Sequence, residues 1–358
     1  MSFCKSTLRA ASKTAATRPL ISTRSVSTAG PAANLSTSPF APRHFLSIAD
    51  LTPKELSTLV RQASRAKHAI KSGNIPSSLQ GTLAGKTVAL MFAKRSTRTR
   101  VSTEAAVVYM GGHPMFLGRD DIQLGVNESL HDTSRVISSM VSCIVARVGP
   151  HSDIAELAKT SSVPIINALC DSYHPLQAVT DILTMSEAFP KLAGLKVAWV
   201  GDANNVLYDL MIACGKLGIS VSVATPSGYP VDAGMLALAR EAASTSGATI
   251  ETCGVPEEAV KNANVIVTDT WVSMGQESQK AQKLREFAGF QVSMDLAARG
   301  GAHKDWKFMH CLPRKPEEVT DEVFYSPKSL VFTEAENRLY AALAALEAFV
   351  VKKGKFEE

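Results

Sequence analysis

Residues 87–100 read TVALMFAKRSTRTR and place an apolar run, a basic loop and the start of a helix in direct succession. The run Thr87–Phe92 is apolar without alternation, which is typical of a strand covered on both faces of a parallel sheet. Ser96–Thr99 follow with hydroxyl and backbone N–H groups at a helix N-terminus, where the helix dipole favours an anion. Arg98 adds a forked cation suited to phosphate oxygens. The stretch predicts a phosphate site, although a capped helix with solvated arginines fits the same residues equally well.

Similar apolar runs recur along the chain and alternate with helical patterns. This alternation predicts an α/β fold with parallel sheets and helices on both faces. The predicted strands are Thr87–Phe92, Ser142–Val148, Pro164–Asn167, Leu195–Val200, Ser220–Ala224, Asn264–Thr268 and Lys307–Cys311. The predicted helices lie near 53–72, 99–110, 127–139, 151–161, 176–188, 205–217, 232–245 and 278–287.

The chain of 358 residues is long enough for two doubly wound domains. A polar stretch with Pro and Gly at Glu187–Gly194 separates a first half, 45–187, from a second half, 188–335. We expect a last helix, near Glu334–Lys352, to pack residues 336–358 against the first half. No apolar run approaches the 18 residues of a membrane span.

The first 49 residues differ from the rest in composition, because they hold six Lys/Arg, 15 Ser/Thr and no acidic residue before Asp50. This composition is typical of a mitochondrial transit peptide, and a disordered basic tail is the alternative. We expect a transit peptide over about 1–36, with cleavage between Arg24 and Thr37, and a mature protein in the mitochondrial matrix. The whole chain has a net charge of +5, and the first 49 residues contribute +6 of it, so residues 50–358 have a net charge of −1. This argues against a nucleic-acid-binding protein.

The six cysteines show no CxxC pair, which favours free thiols in a reducing compartment over disulfides or zinc. Cys170 and His174 stand four residues apart, but two potential ligands do not make a metal site. We therefore expect no metal.

Polar residues follow two further strands of the first half. Arg147 ends the strand Ser142–Val148, and His174-Pro-Leu-Gln177 lies between a strand and a helix. His174 could donate to a carbonyl oxygen and Gln177 could accept from an amide. Taken alone, a His-Pro pair is more often a turn and an arginine at a strand end more often a surface residue.

Three strands of the second half are followed by polar loops in the same way. The loop Gly201–Asn205 lacks the glycines of a dinucleotide fingerprint, so we exclude a dinucleotide site there; its two adjacent asparagines could hold a carboxylate or an α-amino group. Asp269, which a capping role would also explain, could pair with an ammonium group, and Cys311 could contact substrate or be a buried apolar residue. Because ligands of open α/β sheets bind at the carboxyl ends of strands, these motifs together predict a cleft between two α/β domains. It would bind a small phosphate compound on one side and an amino-acid-like amine on the other.

These motifs, in their order along the chain, resemble those of the aspartate/ornithine carbamoyltransferase family, and the resemblance covers nearly all of residues 45–350. Ser96–Arg100 and His174–Gln177 are similar to its carbamoyl-phosphate motif and its second motif, and Asp269–Gly275 and His310–Pro313 are similar to its ornithine branch. The resemblance implies transfer of the carbamoyl group of carbamoyl phosphate to the δ-amine of ornithine, which gives citrulline and phosphate. It also implies a homotrimer with shared active sites and no metal or organic cofactor.

The resemblance assigns roles to individual residues. Carbamoyl phosphate would contact Ser96, Thr97, Arg98, Thr99, Gln123, Arg147, His174, Gln177, Cys311, Leu312 and Arg338, with Gln123 reaching a neighbouring subunit's site. Ornithine would contact Asn205, Asp269, Ser273 and Met274. Arg147 and His174 would stabilise the carbonyl oxygen, and our hypothesis is that Cys311 accepts the proton of the amine while Asp269 mainly positions it.

Three alternatives differ in what they bind. A related carbamoyltransferase would act on putrescine or N-acetylornithine. A non-catalytic relative would bind without reaction, although every motif of the family is present here. A dinucleotide-dependent oxidoreductase would need the glycine fingerprint that is missing.

Overall fold

Two parallel β-sheets form the framework of the protein in a computed structural model, which describes residues 42–121, 128–272 and 277–356. In those residues the first sheet has the strand order β2-β1-β3-β4 and the second has the order β7-β6-β5-β8-β9. The strands are β1 Thr87–Phe92, β2 His113–Gly118, β3 Cys143–Arg147, β4 Ile165–Leu169, β5 Lys196–Val200, β6 Ser220–Ala224, β7 Ile250–Cys253, β8 Val265–Val267 and β9 Lys307–Met309.

Helices connect the strands and cover the sheets. They are α1 Pro53–Lys71, α2 Thr97–Tyr109, α3 Leu130–Met140, α4 His151–Thr160, α5 Pro175–Ala188, α6 Asn205–Lys216, α7 Ala233–Ser244, α8 Pro256–Val260, α9 Lys280–Glu286, α10 Met294–Arg299, α11 Asp321–Phe324 and α12 Val331–Leu346. Short 3₁₀ turns span Ile48–Asp50 and Glu277–Gln279, and a π-helical turn, Glu347–Val351, extends α12.

Strand β5 shows why the apolar runs predict a sheet covered on both faces. Val197 and Trp199 pack into the core shared with the first sheet, whereas Ala198 and Val200 pack into a separate core on the opposite face. Side chains of a strand alternate between faces, so a strand buried on both sides must be apolar at every position. The predicted two-domain α/β fold with parallel sheets is confirmed.

The seven strands predicted from the sequence are present, with shifts of one or two residues at some ends. The sequence patterns missed β2 and β7, which lie at the edges of their sheets. Both missed strands are partly exposed, as in Ile250–Cys253, where Glu251 and Thr252 are exposed, whereas the edge strands β4 and β9 are mostly buried and were predicted. Partial exposure therefore removes the continuous apolar run on which the predictions depended.

The long predicted helices are also present, whereas the short helices α8, α10 and α11 were missed because four to six residues show little periodicity. Helix α12 begins at Val331, three residues before the predicted start, and packs against α1, α2 and α5. Its middle is almost completely buried. This packing places the side chains of α12 next to the N-termini of helices that follow β1 and β4.

The segment before α1 joins both parts of the molecule. Phe45 pairs with Ile166 in a parallel bridge beside β4, and the Ile165 N–H donates to His44 Nδ1 at 3.0 Å. Two residues further on, the Ser47 hydroxyl and the Ile48 N–H donate to the buried carboxylate of Asp209 on α6. The chain is thus fixed to β4 and to α6 before the first helix begins.

Among the described helices, none combines the length and the apolar character that crossing a membrane would require. The five cysteines within the described ranges are free thiols.

Candidate active site

The N-terminus of α2 brings the basic motif to the carboxyl end of β1. Ser96 is the N-cap of this helix, and its hydroxyl accepts from the Thr99 N–H at 3.4 Å. Thr99 is buried, and the guanidinium of Arg98 donates to the carbonyl of Leu312 in the second half of the chain. The predicted phosphate motif therefore contacts the loop that follows β9.

That loop has an unusual backbone at Leu312, whose φ of 64° lies in the left-handed region. The Leu312 N–H donates to His310 Nδ1 at 2.9 Å, and His310 Nε2 lies 3.2 Å from Glu318 Oε1. Since Nδ1 accepts a hydrogen bond, the proton of the neutral ring is on Nε2 and faces Glu318. His310 and Glu318 thereby hold the turn that presents the Leu312 carbonyl.

His174 begins α5 as its N-cap residue, and its backbone N–H donates to Asp209 Oδ2 at 2.8 Å. Its side chain is buried, with Nε2 3.3 Å from Nη1 of Arg338. A guanidinium only donates, so Nε2 accepts and the proton lies on Nδ1, which has no partner among the described residues. Burial and the nearby charges of Arg338, Arg147 and Arg98 hold the pKa of His174 well below 6.5, so the ring is neutral at physiological pH.

Arg338 connects three of the predicted site residues. Besides His174, it contacts Thr99 Oγ1 through Nη2 at 3.1 Å and Gln177 Oε1 through Nη1. Burial lowers the pKa of Arg338 to about 10, and burial likewise lowers that of Arg147 to about 10, so both remain charged at neutral pH. The Nε atoms of both arginines are buried without a hydrogen-bond partner in the described part of the chain.

Gln177 contacts two buried acids that the sequence patterns did not single out. Its Nε2 donates to Asp181 Oδ1 at 2.7 Å and to Glu334 Oε1 at 2.9 Å. The other oxygen of Glu334 accepts from the His310 N–H at 2.9 Å, so this carboxyl group links α5, α12 and the end of β9. Asp181 follows Gln177 by one helical turn, as Arg338 follows Glu334, and this i, i+4 spacing is the only sequence signal for these contacts.

Asp269, after β8, is buried and lies beside Cys311. The Cys311 thiol donates to Asp269 Oδ1 at 3.2 Å, and the Asn204 amide donates to Asp269 Oδ2 at 2.8 Å. Burial and the charge of Asp269 raise the pKa of Cys311 well above its usual value of 9. The sulfur is therefore a protonated donor here. The sequence indicated that Asn204 and Asn205 could hold a carboxylate or an α-amino group; in the structure the Asn204 amide binds the Asp269 carboxylate, and its side-chain oxygen caps α6.

The neighbouring loops are held by buried polar contacts. The Asn205 amide donates to the Cys170 carbonyl, which joins the loop after β5 to the loop after β4. Lys283 donates to Asp202 Oδ2 at 2.6 Å and to the Trp271 carbonyl at 2.8 Å. Gly201 has a φ of 135°, and a Cβ there would lie 3.1 Å from both Thr268 Oγ1 and Trp271 Nε1. Gly201 thus allows close packing of the loops after β5 and β8.

Asp269, His310 and Cys311 bring three potential metal ligands within 4.8 Å of one another. However, His310 Nδ1 accepts from the Leu312 N–H and Nε2 faces Glu318. Neither ring nitrogen offers a lone pair to an ion, and the donor set does not fit a metal.

The predicted site residues that the structure describes lie at the carboxyl ends of β1, β3, β4, β5, β8 and β9 or on α12. Direct contacts join Arg98 with Leu312, Thr99 with Arg338, Arg338 with His174 and Gln177, and Cys311 with Asp269. The Asn205 amide donates to the Cys170 carbonyl, and it is the neighbouring Asn204 that donates to Asp269. Gln123, Ser273 and Met274 lie outside the described residues.

Comparison with known proteins defines the class of fold and site. Residues 43–187 match the carbamoyl-P binding domain, and residues 193–349 match the Asp/Orn binding domain, of aspartate/ornithine carbamoyltransferases. A crystal structure of a mitochondrial ornithine carbamoyltransferase from Coccidioides immitis is 63% identical with a TM-score of 0.84, and it covers 88% of this chain and 100% of its own. The ornithine carbamoyltransferase structure from Pyrococcus furiosus is 45% identical, with a TM-score of 0.82 and coverage of 87% and 98%.

Curated relatives extend the similarity to sequence. A mitochondrial ornithine carbamoyltransferase of Emericella nidulans is 68% identical over 332 residues, which are 89% of this chain and 92% of the relative. One from Aspergillus niger is 64% identical over 363 residues, with coverage of 98% and 97%. The chain belongs to the aspartate/ornithine carbamoyltransferase family. These comparisons confirm the transferase class and the mitochondrial location inferred from the sequence.

Proposed function

We propose that this protein transfers the carbamoyl group of carbamoyl phosphate to the δ-amine of L-ornithine and releases L-citrulline and phosphate in the mitochondrial matrix. The proposal rests on one observation: an anion-binding group of residues and a group of residues suited to an amine lie in the same cleft. Arg98, Arg147 and Arg338 gather there with the N-terminus of α2, and Asp269 and Cys311 face them from the other sheet. The relatives described above are named ornithine carbamoyltransferases.

The phosphate group would bind at Ser96–Thr99. The start of a 13-residue helix attracts an anion, and Arg98 reaches across the cleft to a carbonyl of the second sheet's loop. Three arginines near one another repel, as shown by the effect of Arg98 on the pKa values of Arg147 and Arg338. A phosphate between them relieves this repulsion, which favours binding of a small anion in this cleft.

The carbamoyl carbonyl oxygen would accept hydrogen bonds from His174, Arg147 and Thr99. The Nδ1–H of neutral His174 and the Nε–H of Arg147 are donors without a protein partner in the described structure. As the amine adds to the carbamoyl carbon, charge builds on this oxygen, and fixed donors stabilise that charge. Gln177, with the carbonyls of Cys311 and Leu312, would orient the carbamoyl nitrogen.

The amine side of the cleft would bind ornithine through Asp269 and Asn205, with Ser273 and Met274 from the loop that follows. The δ-ammonium must lose a proton before its nitrogen can attack. Because the Cys311 thiol already donates to Asp269, sulfur can accept that proton only as its own moves to the carboxylate. We therefore assign the proton to the Asp269–Cys311 pair, and give Asp269 more than the positioning role expected from the sequence.

The proposed assembly is a homotrimer in which Gln123 reaches a neighbouring site. Exposed apolar side chains support an interface on the first half of the chain. They are Val101 and Val108 on α2, Met115 on β2, and Val136 and Met140 on α3. Val101 and Val108 are two helical turns apart and share one face of α2.

A substrate panel tests the assignment. Purified protein with carbamoyl phosphate is offered L-ornithine, putrescine or N-acetylornithine at equal concentration, and the carbamoylated product and phosphate are both measured. We expect turnover with ornithine to exceed the other two by at least ~100-fold, because buried polar groups shaped for one amine are left unpaired by another. Preference for putrescine or N-acetylornithine would reassign the substrate, and carbamoylation of none would favour a non-catalytic relative.

A further inference from the structure

Beneath the proposed carbamoyl site lie two acids with no role in the mechanism above. Asp181 and Glu334 are each only 2% exposed, and both accept from the same nitrogen, Nε2 of Gln177. Since these two acceptor oxygens lie 2.7 and 2.9 Å from that one nitrogen, the two carboxyl groups are close neighbours. Two buried negative charges this close repel strongly.

The charges around the pair fix its net charge. The charge of Arg338, which also contacts Gln177, acts on both acids, and Asp269 and Cys311 lie on the side of the second sheet. A single negative charge on the pair balances Arg338, whereas two would leave an uncompensated anion in the interior. Burial and mutual repulsion raise the pKa of both acids, which keeps a proton in the pair at neutral pH.

We propose that Asp181 and Glu334 hold one proton between them, and that this singly charged pair positions Gln177 for the carbamoyl group. An amide nitrogen has two hydrogens, and both are taken by the two acids. The amide of Gln177 cannot flip, so its Oε1 faces Arg338 and is the atom left to accept from the amide of a substrate. Glu334 also connects Gln177 to the second sheet, because its Oε2 accepts a hydrogen bond from the backbone N–H of His310, the residue directly before Cys311.

This inference rests on the proposed function for its consequence in catalysis, but the proton count does not depend on any reaction. Asp181→Asn and Glu334→Gln each leave one acid, which ionises and keeps the single charge. The double variant leaves a neutral pair beside Arg338. A shared proton therefore predicts strong non-additivity in a double-mutant cycle.

The first measurement is infrared spectroscopy of the ligand-free protein. Difference spectra between wild type and each single variant should show the loss of one protonated carboxyl C=O band, and the double variant should lose no more than either single variant. No lost band in either single variant would mean two carboxylates, and twice the loss in the double variant would mean two carboxylic acids; both results overturn the proposal. Glu336→Gln is the matched control, because Glu336 is exposed on the same helix and pairs with Lys71.

The second measurement is the kinetics of the same set. We expect each single variant to raise KM for carbamoyl phosphate, Glu334→Gln more than Asp181→Asn because Glu334 accepts from two N–H groups. KM for ornithine should change little. The double variant should lose ~100-fold or more in kcat/KM beyond the product of the two single effects, because Arg338 loses its buried counter-charge. If the effects of the two single variants on kcat/KM simply multiply in the double variant, these acids serve packing alone and the proposal is overturned. A wild type that is inactive with ornithine would overturn the proposed function, while the infrared result would still stand.

Discussion

The chemistry of the cleft depends on which side chains carry protons before any substrate arrives. His174 is neutral with its proton on Nδ1, and Cys311 is a thiol that donates to Asp269. Both states follow from burial together with a specific neighbour, Arg338 in one case and Asp269 in the other. The free protein is therefore set up with a donor on the carbamoyl side and a proton-accepting pair on the amine side.

Replacing Cys311 tests the proton acceptor. Cys311→Ala removes the sulfur between the amine and Asp269, and a lost general base reduces kcat by ~100-fold or more. The pH dependence of kcat should also change, since the thiol no longer takes part in the proton transfer. Unchanged kcat with the same pH profile would show that the proton goes elsewhere.

Replacing Arg98 tests the proposed phosphate site. Arg98→Ala removes one charged donor at the start of α2, so the affinity for carbamoyl phosphate should fall at least ~10-fold. Calorimetric titration measures the affinity, and circular dichroism checks that the fold is retained. Arg100→Ala is a matched control on the same helix, because Arg100 pairs with Glu104. Equal affinities of both variants would remove Arg98 from the site.

Short motifs at strand ends revealed the charged residues of the site, because each motif is continuous in the sequence. Asp181 and Glu334 belong to no such motif, and Asn204 belongs to one that does not indicate Asp269 as its partner. Gln177 and Glu334 are separated by 157 positions, and Asn204 and Asp269 by 65, so only the folded chain brings them together. A single sequence does not reveal contacts of that range.

At the scale of elements, burial decided which strands the sequence could predict. Strand β3 is buried at each of its five residues and was predicted, whereas β2 and β7 are partly exposed at the sheet edges and were missed. The pairing of Phe45 with β4 was also missed. A single bridge from Phe45 to Ile166, with His44 capping it, gives no alternating pattern to recognise.

His44 makes the attachment of this segment to β4 sensitive to pH. Burial lowers the pKa of His44 to about 4, below the value of about 6.5 expected in the unfolded chain. As the pH falls from 7 to 4 the unfolded chain binds a proton that the folded protein does not, so the free energy of unfolding decreases by up to ~3 kcal/mol. His44→Gln keeps an acceptor for the Ile165 N–H without titrating.

Urea unfolding of wild type and His44→Gln at a series of pH values measures this effect. We expect the stability of the wild type to fall more steeply than that of the variant between pH 7 and pH 4. Parallel stability curves would show that His44 contributes nothing to the acid sensitivity.

For the whole molecule, the exposed apolar face of α2 and α3 supports association of copies. Val108→Glu puts a charge on that face, so we expect smaller species in analytical ultracentrifugation and reduced activity, because the proposed trimer shares its active sites between subunits. Val255→Glu is the control, since Val255 is also an exposed apolar residue but precedes α8 on the second sheet. A wild type that sediments as a monomer with full activity would contradict the trimer.

The proposed transfer forms a bond between the carbamoyl carbon and the δ-nitrogen of ornithine, and isotope labelling observes that bond directly. Carbamoyl phosphate labelled with ¹³C is mixed with the protein and ornithine labelled with ¹⁵N at the δ-position, and the product is followed by ¹³C NMR. We expect the carbamoyl signal of citrulline to be split by one-bond ¹³C–¹⁵N coupling, with one phosphate released for each citrulline, and no such one-bond splitting when the label is on the α-nitrogen. Label that appears only in hydrolysis products, or a carbamoyl signal without coupling to the δ-nitrogen, would contradict the account.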